Sequence, residues 1–311
     1  MILKKLLINE KKGRNMNITG AITALITPMK ETGQIDYDSL EKLIEMQIEQ
    51  GISALVAVGT TGESSTLDVQ DHLEVIGFFI DKVKGRIPII AGTGANSTDE
   101  ACHLTKEVYG LGADAVLLVT PYYNKPTQEG LYRHYMKIAD SIDIPQILYN
   151  VPSRTAVHME SSTVSRLASH ENIIGLKDAT GDMAILKELQ KSCSEELLNG
   201  DFFLYTGDDA TSYEFLNRGG HGTISVTSNV FPDLVSLMCA MIKDNNPEAI
   251  NIHNKLIKIN ELLFIESNPI PVKYSLNKMG LIEKGIRLPL THLQEKYQQV
   301  IDDELQNLNA I

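Results

Sequence analysis

Residues 172–181, NIIGLKDATG, form an apolar run that carries a single lysine, Lys177, near its end. Read as a strand, strict alternation sets Ile173, Gly175 and Lys177 on one face and Ile174, Leu176 and Asp178 on the other. In a parallel sheet both faces are covered by protein, so the ammonium loses much of its hydration. Desolvation favours the neutral amine, the form that attacks carbonyls. The plainer alternative is a lysine at a strand end, paired with a nearby carboxylate such as Asp178. The segment alone does not choose between them.

Working outward, the same kind of run recurs along the chain. From Ile22 onward the β-like runs are AITALITP, SALVAVGTTG, IPIIAGTG, AVLLVTPY, QILYNVP, IIGLKDA, FFLYTGDD and GTISVTSN, eight in all. Most are followed by a helical pattern, such as DYDSLEKLIEMQIEQG, TDEACHLTKEVYGLG or SSTVSRLASH. Several of these open on a Ser, Thr or Asp cap and close on Gly, as helix boundaries should. Strands start roughly 20 to 35 residues apart, the size of a βα unit. Eight uninterrupted units predict an α/β fold, a (β/α)8 barrel, over a doubly wound open sheet. After Asn229 the β pattern stops, and four further segments read as helices. The expected division is a barrel over residues 16–244 and a C-terminal helical region over 245–311. With no low-complexity linker between them, the two should pack closely. Residues 1–15 read as an N-terminal extension, an upstream start or a frayed tail.

The chain has 311 residues, enough to bury a large core, and a formal net charge of −12. That charge argues against nucleic-acid partners and anionic membrane surfaces. Three scattered cysteines, Cys102, Cys193 and Cys239, with no CxxC, fit neither a disulfide framework nor a cysteine zinc site. A reducing cytoplasmic setting suits them best. The basic N-terminus has apolar stretches too short and broken for a signal peptide. No run approaches the length of a membrane span.

A barrel of this kind places its chemistry at the C-terminal ends of the strands. Strand two ends in GTTGES (59–64), where Thr60 and Thr61 lie between glycines. Hydroxyls and backbone N–H groups there could converge on a small anion, or the segment could be a plain tight turn. Strand four ends in TPYYNKP, with Tyr122 and Tyr123 at the rim, and strand five in LYNVPSR, with Tyr149 on the strand and Arg154 beyond it. Each tyrosine could equally be packing. Tyr149 and Lys177 hold comparable positions on adjacent strands, so both can face the interior. A phenol beside a desolvated amine is a plausible proton shuttle for imine chemistry. The eight histidines form no HxH or HExxH, which disfavours a metal-dependent aldolase. Asp208 and Asp209 after strand seven would repel phosphate. AGTGANS has Ser97 where a dinucleotide loop needs its third glycine, and the next strand ends without a ribose-binding acid. The expectation is a reaction with neither metal nor nucleotide.

In this order the motifs GTTGES, AGTGAN, TPYYNKP, QEGLY, LYNVPSRT, GLKDATG, GDD, GGHGTISVTSN and NPIPVK resemble the dihydrodipicolinate synthase family, within the pyruvate-dependent class I aldolases. The resemblance runs from about Thr19 into the C-terminal region. GTTGES or GLKDATG alone would mark only the superfamily, whereas TPYYNKP with YNVPSRT is more specific. It implies that Lys177 forms a Schiff base with pyruvate, so the only cofactor-like species is the covalent imine. Tyr149 would relay protons in a triad with Thr60 and Tyr123, the last reaching into a neighbouring subunit of a dimer or dimer-of-dimers tetramer. Thr61 and the Ile224 backbone would hold the pyruvate carboxylate, and Gly207 would line the pocket. Arg154 would bind the carboxylate of L-aspartate 4-semialdehyde, a role an arginine fork suits. The product would enter lysine and diaminopimelate synthesis.

The family's allosteric lysine site would map to Ser64, Ser65, His72, Asn96, Glu100 and Tyr122. His72 matches lysine-sensitive members, whereas Val69 stands where well-known sensitive members carry a histidine, so feedback inhibition by lysine is expected, though weak. Within the superfamily, N-acetylneuraminate lyase and keto-deoxy-sugar-acid aldolases share the lysine and the strand-five tyrosine. Arg154 and the Tyr122–Tyr123 pair speak against them, because a polyol substrate offers no carboxylate at the mouth. A catalytically silent barrel would have no use for Lys177, Tyr149, Thr60, Tyr123 and Arg154 together.

Overall fold

All eight strands form: β1 (Gly20–Ala24), β2 (Ala54–Ala57), β3 (Ile89–Gly92), β4 (Ala115–Val119), β5 (Gln146–Asn150), β6 (Ile173–Asp178), β7 (Phe203–Thr206) and β8 (Gly222–Ser225). The structure is a computed structural model that describes residues 18–311. The extension expected at residues 1–15 lies outside the described residues. Every neighbouring pair is parallel, and β1 pairs with both β2 and β8. The sheet therefore closes on itself, which excludes the open doubly wound alternative. At the closure Asn229 bridges the first and last strands: its Oδ1 accepts from Ile26 N–H at 3.0 Å, and its Nδ2 donates to the Ala24 carbonyl at 2.9 Å.

Alternation along each strand divides the apolar residues between two cores. One fills the barrel and includes Ile22, Val56, Ile90, Leu117, Ile147, Tyr149, Tyr205 and Ile224. The other lies between the sheet and the helices, around residues such as Leu55, Val116, Leu148, Leu176 and Leu204. Five of the described helices open on a side-chain cap, whereas the one expected to open on Ser161 follows Glu160 without one. Asp36, Asp68, Ser97, Thr127 and Asp182 each accept a first-turn backbone N–H, satisfying donors a helix start leaves open.

Strand β6 departs from strict alternation at its start. Gln146 pairs with Ile173, but the next residue, Ile147, pairs with Gly175, so β6 carries one extra residue. This β-bulge turns Ile174 into the barrel core and leaves Ile173 in the outer core with Leu176. The expected grouping of Ile173 with Lys177 is thus wrong. Beyond the bulge alternation resumes, and Lys177 pairs with Tyr149 as expected.

The C-terminal segments form helices over Pro232–Lys243, Ala249–Leu262, Ile270–Lys278 and Glu295–Asn307. They are tied to the barrel by buried polar bonds. Asn260 accepts from the Thr227 hydroxyl at 2.7 Å and donates to the Asp209 carbonyl at 3.2 Å. Glu63, after β2, forms an ion pair with Lys273; the two side chains are 0% and 5% exposed. Arg287 adds its backbone N–H to Glu63 at 3.2 Å and its guanidinium to Asp71 at 2.7 Å. Among the described residues no helix is long and apolar enough to cross a membrane.

Candidate active site

Lys177 stands near the C-terminal end of β6, buried to 6% exposure. Its Nζ lies 4.3 Å from the centroid of the Tyr149 ring. The carboxylate offered as its plain partner is taken elsewhere. Asp178 accepts from Asn150 Nδ2 at 2.8 Å with one oxygen and from the Thr180 hydroxyl with the other. Among the described residues Lys177 joins no ion pair. Burial lowers its pKa to about 7; Asp209 pulls the other way, and Arg154 lowers it further. At neutral pH a large fraction is therefore the free amine that attacks carbonyls. Burial raises the Tyr149 phenol, with Arg154 and a hydrogen bond from Thr60 opposing. A phenol held protonated beside a deprotonated amine can move protons to and from it.

The loop that delivers Thr60 leaves β2 through Val58, whose φ of 53° is strained for a β-branched residue. The turn is held by close packing on β3. A Cβ on Gly92 would lie 2.2 Å from the Val58 carbonyl oxygen, so only glycine admits this approach. Thr61, 3% exposed, accepts from Asn268 Nδ2 at 3.0 Å. At the end of β5 the single turn Pro152–Thr155 brings Arg154 to the mouth, where its Nη2 donates to the Asn268 carbonyl at 3.3 Å.

Between these groups lies a cavity of about 740 Å³, lined by Thr60, Thr61, Tyr149, Arg154, Lys177, Gly207, Asp208 and Val226, with Phe264–Asn268 across its mouth. Its size suits a small-molecule site. Gly207 abuts the lysine: a Cβ there would meet Lys177 Cε at 2.5 Å. Behind it Asp209, 3% exposed, accepts from Val226 N–H at 2.8 Å and Thr227 N–H at 3.1 Å, fixing the end of β7 to the turn after β8. Burial raises the Asp209 carboxyl, which hydrogen bonds from Ser225, Thr227 and Val226 oppose.

Six of the eight expected catalytic and substrate residues thus share one cavity or its wall. Two do not. Ile224 is fully buried in the barrel core, and Val226, two residues on and just past the end of β8, lines the cavity instead. Tyr123 is 89% exposed, at φ 74°, and is not among the residues that line this chain's own cavity.

Of the expected lysine-binding residues, Ser64, Ser65, His72, Glu100 and Tyr122 line a second, smaller cavity of about 280 Å³, which also touches Thr60 and Arg154. Asn96 is not among its lining residues; its carbonyl accepts from Asn124 Nδ2 at 2.8 Å. His72 is buried and donates through Nε2 to the Gly92 carbonyl at 2.7 Å, so it is engaged with the backbone. Burial lowers its pKa. Burial, with Glu100 nearby, raises the Tyr122 phenol.

Three contributors escaped the strand-end reading. From sequence Asp209 reads only as a repellent of phosphate and as part of the GDD motif. Glu266 and Asn268 lie some ninety residues after Lys177, in a segment with no strand pattern. NPIPVK carried the only signal for Asn268, as a motif without a role.

The model of the Dihydrodipicolinate synthetase family matches residues 17–308. The 4-hydroxy-tetrahydrodipicolinate synthase of Pseudomonas savastanoi pv. phaseolicola is 53% identical over 295 residues, 94% of this chain and 99% of that one. The enzyme of the same name from Methylococcus capsulatus is 52% identical, over 94% of this chain and 100% of that one. Among solved structures, a chloride-inhibited dihydrodipicolinate synthase from Acinetobacter baumannii complexed with pyruvate superposes with a TM-score of 0.91 at 51% identity, over 94% of this chain and 100% of that one. The Cyanidioschyzon merolae enzyme with lysine bound superposes with a TM-score of 0.89 at 36% identity, over 94% of this chain and 99% of that one. A buried, unpaired lysine on β6 against a tyrosine on β5, with matches at this level over nearly the whole chain, leads to one conclusion: the chain belongs to the dihydrodipicolinate synthetase family of pyruvate-dependent lyases.

Proposed function

We propose that this chain condenses pyruvate with L-aspartate 4-semialdehyde and closes the product to 4-hydroxy-tetrahydrodipicolinate. The observation that carries the reading is Lys177: buried, free of any ion pair among the described residues, lowered to about 7 and set against the Tyr149 ring. Its amine adds to C2 of pyruvate and water leaves, giving an imine. Loss of a C3 proton yields an enamine, whose C3 attacks the aldehyde. The substrate amine then adds at C2, and Lys177 departs as the ring closes. Holding both partners in one cavity makes the carbon–carbon step effectively intramolecular.

In this reading Tyr149 relays protons with Thr60 and with Tyr123 of a second copy. The exposure of Tyr123 fits such a reach. We therefore propose a homodimer at least, paired into a tetramer, working in the cytoplasm. Thr61 holds the pyruvate carboxylate, and Arg154 the carboxylate of the semialdehyde. The second cavity takes lysine weakly, because Val69 offers it no polar group. A rate that stays flat up to millimolar lysine would dismiss that last point.

The test is a condensation assay with both substrates on the wild type and on Arg154→Ala, alongside borohydride trapping of pyruvate on Lys177. Turnover in the wild type, and loss of most of it in Arg154→Ala with trapping intact, supports the reading. Trapping without condensation would keep the imine chemistry and move the second substrate to a sugar-derived aldehyde.

A further inference from the structure

L-Aspartate 4-semialdehyde is an α-amino acid, so its carboxylate and ammonium share one carbon. An acceptor for the ammonium must therefore lie beside the cation that takes the carboxylate. Two carboxylates line the cavity, Asp208 and Glu266. Asp208 is already committed: its Oδ2 accepts from Thr211 N–H at 3.1 Å and from the Thr211 hydroxyl at 2.6 Å. Glu266 lies in the segment that crosses the mouth, two residues from Asn268. The Asn268 carbonyl is bound by Arg154, so this segment forms the wall next to the guanidinium.

Two acceptors in that wall are unanswered. Glu266 Oε1 and Asn268 Oδ1 are both buried and have no hydrogen-bond partner among the described residues. The Asn268 amide nitrogen donates to Thr61, which fixes the side chain and leaves its oxygen as the free acceptor. A buried acceptor left without a donor costs about 1–3 kcal/mol, and more when charged. An ammonium brings three donors and a positive charge. A carboxylate and an amide oxygen next to a guanidinium form the complement of an amino-acid head group.

We propose that Glu266, with Asn268 Oδ1, is the subsite that receives the ammonium of the second substrate and selects an α-amino aldehyde over its des-amino analogue. This rests on the activity proposed above. Thr61 and Lys177 hold the deep end of the cavity for pyruvate, while Arg154, Glu266 and Asn268 read the zwitterion at its mouth.

The experiment compares the wild type, Glu266→Gln and Asp208→Asn. It measures KM for L-aspartate 4-semialdehyde, the inhibition constant of 4-oxobutanoate, which lacks the ammonium, and borohydride trapping of pyruvate. Losing one charge-assisted hydrogen bond should raise the semialdehyde KM of Glu266→Gln by about ten- to a hundredfold. Its trapping rate and its affinity for 4-oxobutanoate should stay at wild-type values, which also shows that the variant is folded. An unchanged KM, or an equal loss toward 4-oxobutanoate, overturns the assignment. A selective loss confined to Asp208→Asn overturns it in favour of Asp208. A wild type that traps pyruvate yet does not condense it with the semialdehyde would overturn the proposed activity, and this subsite with it.

Discussion

Replacing Gly207 by alanine should separate catalysis from stability at this site. The added Cβ would lie 2.5 Å from Lys177 Cε and 2.9 Å from the Ala179 Cβ. Carbon atoms settle at about 3.5–4.0 Å, so Lys177 Cε must move by roughly 1 Å. The clash is with the far end of a flexible side chain that borders a cavity, so folding should lose little. Overpacking commonly costs about 1–3 kcal/mol, and the low end applies here. The reaction is less forgiving, because Nζ rides on Cε and sits over the Tyr149 ring. A misplacement of about 1 Å at a reacting group can cost on the order of a hundredfold. The assay is single-turnover trapping of pyruvate on the lysine, paired with thermal melting. The expected result is a trapping rate lower by about two orders of magnitude, with a melting temperature only a few degrees down. Trapping at the wild-type rate would refute the close packing of Gly207 on Lys177. A variant that does not fold would refute the claim that the lysine end yields easily.

Other outcomes follow from the same structure. Because burial lowers Lys177 to about 7, pyruvate trapping should climb about tenfold per pH unit below that value and level off above it, rather than rising towards pH 10. The folded state binds fewer protons than the unfolded chain between about 7 and the ordinary 10.5, so Lys177 destabilises the fold increasingly as pH falls through that window. Lys177→Met should therefore melt above the wild type by a margin that widens from pH 10 to pH 7; a margin independent of pH would count against a buried, titrating lysine. Glu63→Gln leaves Lys273 buried with its charge unmatched, which should cost about 3–5 kcal/mol in denaturant unfolding. Removing both charges as Glu63→Gln with Lys273→Met should recover much of that loss, and a double variant no better than the single would contradict the pairing.

How much of this was legible in sequence differs by element. The eight strands and the helices between them follow from local composition, so their order and the parallel barrel could be read directly. So could the placing of Lys177 opposite Tyr149, because the two occupy matching places on consecutive strands. The bulge in β6 could not. Nothing in NIIGLK marks the extra residue, which exists because the register with β5 slips between Gln146 and Ile147. The two faces of Ile173 and Ile174 were consequently exchanged.

The mouth of the cavity was the larger omission. Phe264–Asn268 reaches the site only because the C-terminal helices fold back over the strand ends, held by Glu63–Lys273 and by Asn260 between Thr227 and Asp209. Periodicity reports which face of an element is apolar, and it carries no information on where a segment ninety residues away returns. By itself the sequence determined the barrel, the lysine and its tyrosine, since each depends on contacts within a strand or between neighbours. Only the tertiary structure decided that the lysine has no counter-ion among the described residues, that glycine must stand at 207, and that Glu266 and Asn268 form the wall beside Arg154. Those facts depend on burial and on long-range packing, which exist only once the chain has closed.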